Sequence, residues 1–97
     1  VRTITNANLN ELSKTSTMLI EFSSQNCAPC KMQKEILTGM EGERSDVVFG
    51  NVNIEDEYSL VDKFKINSVP TIVVMKDGKE SDRFVGLHQE SSIANAL

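Results

Sequence analysis

Tryptophan is missing from this 97-residue sequence, which holds only one Tyr, one His, two Pro and two Cys. Each shortage excludes a class of protein. Cys27 and Cys30 stand three positions apart, and a bond between them closes too short a loop to restrain the unfolded chain. They are no stabilising framework, and the spacing points to chemistry. With His88 they supply at most three ligands, short of a closed structural zinc site. The acidic run Glu55-Asp56-Glu57 lacks the glycine and ligand ladder of a calcium loop and reads as a solvated helix start. No apolar run approaches the roughly 20 residues of a membrane span. No basic-then-apolar segment reads as a signal peptide, which points to the cytoplasm, although the sequence begins at Val1 and not at Met, as a processed or trimmed chain does. Positive charge is also short. Ten Lys+Arg against fourteen Asp+Glu leave a net charge of −4, without the basic face of a nucleic-acid binder. Repeats, low-complexity tracts and Pro/Gly-rich linkers are absent, so residues 1–97 read as one domain.

What is present suffices for a core. Leu, Ile, Val and Phe account for 27 of the 97 residues, above the roughly one-fifth level below which chains stay disordered. Arg2 to Thr5 alternates weakly and reads as a short edge strand. Asn6 offers an N-cap side chain for a helix through Leu9 and Leu12, ending near Lys14. Thr17 to Ser23 is an apolar run with one charge, the pattern of a strand covered on both faces. A helix follows from Cys27, with Ile36, Leu37 and Met40 on one side and Gly39 and Gly42 near its end. Val47 to Ile54 reads as a second buried strand, and Leu60, Val61 and Phe64 as the apolar side of a short helix. Thr71 to Met75 and Ser81 to Val85 flank Lys76-Asp77-Gly78-Lys79, a hairpin signal. Gln89 to Leu97 closes as a helix. Met18, Met32, Met40 and Met75 read as core filler. The resulting order, β-α-β-α-β-α-β-β-α, implies an α/β protein with a mixed sheet and helices on both faces.

Cys27-Ala28-Pro29-Cys30 follows a buried strand and opens a helix. A helix start has unpaired N–H groups and the positive end of the macrodipole, and both favour a thiolate over a thiol. Cys27 is therefore expected to be the reactive member of the pair. Cys30, one turn further in, is shielded and placed to attack a mixed disulfide on Cys27. Pro29 has no N–H to lose in a first turn. The short spacing lets the second attack outrun escape of the trapped substrate.

Ile20-Glu21-Phe22, Cys27-Ala28-Pro29-Cys30-Lys31-Met32, Val52-Asn53-Ile54, Ser68-Val69-Pro70-Thr71, Lys76-Asp77-Gly78 and Val85-Gly86 resemble the thioredoxin family in order and spacing. The resemblance covers nearly the whole chain and implies a thioredoxin fold, a central mixed sheet of about five strands flanked by helices. It implies a cis bond at Val69–Pro70 facing Cys27, and a substrate groove mapping onto Asn26, Ala28, Pro29, Ile54, Val69, Pro70, Gly86 and Leu87. It also implies that electrons reside on the Cys27–Cys30 pair without a bound cofactor or metal. A reductase would supply them, and protein disulfides would receive them. The chain departs from the family in several places. Ser23 and Asn26 stand where the family usually has Trp, Ala28 where reducing members carry Gly, Glu35 in place of a kinking Pro, and Asn51 in place of a Lys.

Glu21 sits mid-run in a strand where an unpaired charge is expensive to bury. By the resemblance, a carboxylate here assists deprotonation of Cys30; the bland alternative is a carboxylate on an exposed strand face. His88 reads as a cap or surface residue. The sequence as a whole reads as a monomeric thiol–disulfide oxidoreductase that reduces protein disulfides through Cys27 and Cys30. The alternatives are an oxidant or isomerase of an oxidising compartment, and a non-catalytic peptide-binding module on the same fold.

Overall fold

The computed structural model describes residues 1–14 and 17–97. Among them the elements run β1 (Arg2–Thr3), α1 (Leu9–Ser13), β2 (Thr17–Ser23), α2 (Ala28–Glu41), β3 (Val47–Asn53), α3 (Tyr58–Phe64), β4 (Thr71–Lys76), β5 (Lys79–Val85) and α4 (Glu90–Ala94). This is the order the residue pattern predicts. Five strands form one sheet in the order β1-β3-β2-β4-β5. β2 runs parallel to β3 and antiparallel to β4, so the sheet is mixed.

β2 explains the layering. It is paired on both edges, and Met18 through Phe22 are all buried. Successive strand side chains point to opposite faces. Met18, Ile20 and Phe22 accordingly pack with Leu9 of α1 and Leu60 and Phe64 of α3. Leu19 packs on the other face with Leu37 and Met40 of α2 and Ile93 of α4. The same alternation divides Val73 from Ile72 and Val74 on β4. Helices thus cover both faces, α1 and α3 on one and α2 and α4 on the other.

Local signals account for the element ends, with two corrections. Asn6 is not the side chain that opens α1. The N-cap is Asn8, without a side-chain cap bond of its own. Thr5 Oγ1 accepts the Asn8 N–H at 3.3 Å while Asn8 Oδ1 accepts the Thr5 N–H at 2.8 Å, and these reciprocal bonds close the turn that leads into the helix. Asn6 instead donates its backbone N–H to the Glu57 carboxylate at 3.3 Å. Met32 is not core filler: it is 54% exposed. The inward stripe of α2 is Cys30, Gln33, Leu37 and Met40, and Met32 falls off it.

At the sheet's far edge, Asp77 and Gly78 both have positive φ, 54° and 78°, as a two-residue type I′ hairpin requires. β5 carries Lys79, Glu80, Asp82 and Arg83, charges that discourage pairing with another chain. Arg83 also reaches back to α3. Its Nη2 donates to Phe64 O at 2.7 Å, a carbonyl that the helix end leaves free, while its Nε donates to the Glu80 carboxylate of its own strand at 2.8 Å.

Gly50 of β3 lies against Ile4, and a Cβ there would collide with Ile4 Cγ1 and Cδ1. Ile4 is itself buried, so Gly50→Ala must push it from its place. The expected loss of unfolding free energy is about 1–3 kcal/mol. It would be read as a lower urea midpoint at unchanged slope; an unchanged midpoint would show that Ile4 repacks freely.

Candidate active site

β2 ends at Ser23, and the following loop delivers Cys27 to the start of α2. Cys27 is the N-cap residue, extended at φ −136° and ψ 102°. Its Sγ accepts the Cys30 N–H at 3.2 Å and its carbonyl accepts the Lys31 N–H at 3.2 Å. Pro29 occupies the first turn, where no N–H is missed. Cys27 and Cys30 are joined as a disulfide with their Cα atoms 5.2 Å apart. Cys27 is half-buried, whereas Cys30 is 3% exposed. Only the first sulfur offers itself to a large partner.

The loop is tied down from the β3 side. Ile54 N–H donates to Ser23 O at 2.9 Å, and Gln25 N–H to Glu55 Oε1 at 3.0 Å. Asn53 Oδ1 in turn accepts the Glu55 N–H at 2.9 Å. The run Glu55-Asp56-Glu57 is therefore more than a solvated helix start, because Glu55 holds the backbone two residues before Cys27. Sequence reasoning missed this anchor, since nothing in the local pattern joins residue 25 to residue 55.

Glu21 is fully buried, and neither carboxylate oxygen has a hydrogen-bond partner among the described residues. It points to the α2 side of the sheet, on the same face as Leu19. In the sheet register it lies beside Asn51 of β3 and Ile72 of β4. Asn51 does not satisfy it: Asn51 Oδ1 accepts the Ser23 hydroxyl at 2.7 Å. Burial pushes the Glu21 carboxyl up to about 7, with the Lys34 ammonium pulling the other way. The cause is desolvation, which disfavours the charged form.

A further segment is brought to the same helix. Val69–Pro70 is cis, and Pro70 O accepts the Gly86 N–H at 2.8 Å. Gly86 has φ +87°, a conformation that suits glycine. Beyond it, Gln33 Nε2 donates to His88 O at 3.0 Å and Gln33 Oε1 accepts the His88 N–H at 2.8 Å. Of the predicted groove residues, Asn26, Ala28 and Pro29 are exposed, Val69, Gly86 and Leu87 half-buried, and Pro70 buried. Ile54 is half-buried too, but its side chain packs toward the α1 and α3 cluster. The His88 ring bonds Gly86 O through Nδ1 at 2.9 Å and lies edge-on to Phe84, so it is engaged away from the thiols. Gln33 was also missed, although a polar residue three after Cys30 and four before Leu37 breaks the apolar stripe.

The arrangement is an exchangeable disulfide at a helix start, with one accessible and one buried sulfur and an unsatisfied carboxyl in the layer beneath. A family model described as Thioredoxin matches residues 1–97. A thioredoxin of Chlamydia caviae is 39% identical over 97 residues, all of this chain and 95% of that protein. One from Chlamydia trachomatis is 30% identical over the same share of each. Among solved structures, a Fasciola hepatica thioredoxin is similar with a TM-score of 0.90 and 28% identity, over 99% of this chain and 96% of that one. The sulfur pair at the start of α2 and the sheet behind it are thus those of a known lineage, and the chain belongs to the thioredoxin family of thiol–disulfide oxidoreductases.

Proposed function

We propose that this chain is a monomeric, cytoplasmic reductant of protein disulfides, with residues 1–97 acting as one domain, Cys27 as nucleophile and Cys30 as resolving thiol. The observation that carries the reading is the position of Cys27: half-exposed at a helix cap, with the Cys30 N–H directed at its sulfur. In the reduced protein this N–H and the helix dipole stabilise a thiolate. The thiolate attacks one sulfur of a substrate disulfide, forming a Cys27 mixed disulfide and releasing the other sulfur as a thiolate. Cys30, having lost its proton, attacks Cys27 Sγ. The Cys27–Cys30 disulfide forms and the second substrate sulfur leaves as a thiolate. Two electrons pass to the substrate, and a reductase dithiol returns them.

Glu21 is the proposed acceptor of the Cys30 proton. It lies on the sheet face that α2 covers, and Cys30 lies on the inward stripe of α2. A carboxyl near 7 is matched to proton transfer at neutral pH. Asn26, Ala28, Pro29, Ile54, Val69, Pro70, Gly86 and Leu87 form the proposed groove. Exposed Met32 lies two positions after Cys30 and exposed Val85 directly precedes Gly86, apolar surface that suits docking of protein rather than small-molecule disulfides. A reducing compartment fits a chain whose only cysteines are the reactive pair. Among the described residues no helix is long and apolar enough to cross a membrane.

Three measurements test this reading. Limited alkylation of the reduced protein at neutral pH is expected to label Cys27 predominantly, and Cys30→Ser to trap substrate on Cys27; preferential labelling of Cys30 reverses the assignment. The reduction potential of the pair is expected near the about −270 mV of thioredoxins, and a value near about −120 mV would make the protein an oxidant. The third concerns Glu21 in the oxidised protein. From pH 4.5 upward the unfolded chain gives up this proton while the folded chain retains it to about pH 7, so stability falls across that interval. Relative to the parent, Glu21→Gln is expected to gain stability between these pH values and then level off, by about 3 kcal/mol in all. In single-turnover reactions the same variant should release the mixed disulfide more slowly while Cys27 alkylation stays near normal. A pH-independent stability difference with undiminished release would make Glu21 an ordinary structural residue.

A further inference from the structure

The buried stripe of α2 contains one polar side chain besides the cysteine. Gln33 is fully buried, three positions after Cys30. An apolar residue would fill this place without a polar group to satisfy, so the amide persists only because both its ends are bonded. Both bonds go to one residue, 55 positions away: Nε2 to His88 O at 3.0 Å and Oε1 from His88 N–H at 2.8 Å. The amide pairs with His88 as the backbone of a neighbouring strand would. The His88 ring is fixed as well, its Nδ1–H donating to Gly86 O at 2.9 Å. At its other end this segment is held by the Gly86 N–H to Pro70 O bond of 2.8 Å. Residues 86–88 are therefore clamped twice, once to the Pro70 turn and once to the helix that begins at Cys27.

We propose that Gln33 is a positioning residue for substrate docking, fixing the Gly86–His88 wall relative to Cys27 Sγ. The inference rests on reading Gly86 and Leu87 as part of the groove. A wall carried by the same helix as the nucleophile keeps its register when a polypeptide docks, and the ordering is done before binding. A small disulfide, which touches only the sulfur and its surroundings, does not need that wall. Removing the amide should therefore weaken the handling of protein disulfides and spare that of small ones. A purely structural role would lower both through a smaller folded fraction.

The test uses Gln33→Met and Gln33→Leu, two apolar replacements of similar volume, so that one poorly folded variant does not end the experiment. Each is compared with the parent in reduction of insulin and of hydroxyethyl disulfide, with dithiothreitol as terminal reductant. The expected result is a KM for insulin raised about fivefold at near-constant kcat, the signature of lost uniform binding. The rate with hydroxyethyl disulfide should stay within about twofold. Hydrogen exchange at the His88 amide, slow in the parent, should become fast in the variants while the amides of β2 stay protected. An unchanged KM for insulin, or equal losses with both substrates, overturns the inference while leaving the proposed function intact. A parent that reduces hydroxyethyl disulfide but not insulin removes the groove reading, and this inference with it.

Discussion

A strand with neighbours on both edges and helices on both faces has nowhere to put a charge, and β2 is such a strand. Every other element takes its place from it. β3 and β4 pair with its two edges, and its alternating side chains seed the two apolar clusters. Its end sets the point from which the chain turns into the cysteine-bearing helix. The one ionisable residue in this strand is Glu21, whose carboxyl is pushed up to about 7 by that burial, so that it gives up and takes back its proton near neutrality. The sheet's core and the proposed proton acceptor are two results of the same burial.

The surroundings of that carboxyl differ from what the family resemblance implies. The cation expected on β3 is replaced by Asn51, whose side-chain oxygen is occupied by Ser23. The opposing charge that acts on Glu21 comes instead from Lys34 on α2. The electrostatic balance is therefore set from the helix side, by a residue on the element that also carries both cysteines. Glu35, where the family has a helix-kinking proline, leaves α2 continuous from Ala28 to Glu41, so Lys34 lies within an unbroken helix.

Much of this was legible in the residues because the relevant forces are local or periodic. The doubly apolar run at Thr17–Ser23, the Cys-Ala-Pro-Cys start of α2 and the Asp-Gly turn each carry their structure in a few neighbouring residues. Element ends were less legible. Asn6 is a competent cap by residue type, but the turn closed by the reciprocal Thr5–Asn8 bonds places Asn8 at the start of α1. Met32 was misread because its hydrophobicity says nothing about its angle on the helix; Gln33, next along, takes the inward place. The pairings Gln33–His88 and Gln25–Glu55 could not be read at all. Each joins a side chain to a backbone group far away in sequence, and a backbone group leaves no mark on the residue that bears it.

Arg83 gives the outer edge of the sheet a property beyond shielding it from other chains. Edge strands are usually the first parts of a sheet to open, since only one side holds them. Here the guanidinium of β5 bonds the carbonyls of Phe64 and, at 3.5 Å, Lys65 at the end of α3. Phe64 packs in turn against Phe22 of the central strand, with ring centroids 5.6 Å apart. Peeling β5 away thus uncaps a helix whose last residue is seated on the core. A chain of contacts runs from the strand leading to Gly86, through the end of α3, to the strand leading to Cys27.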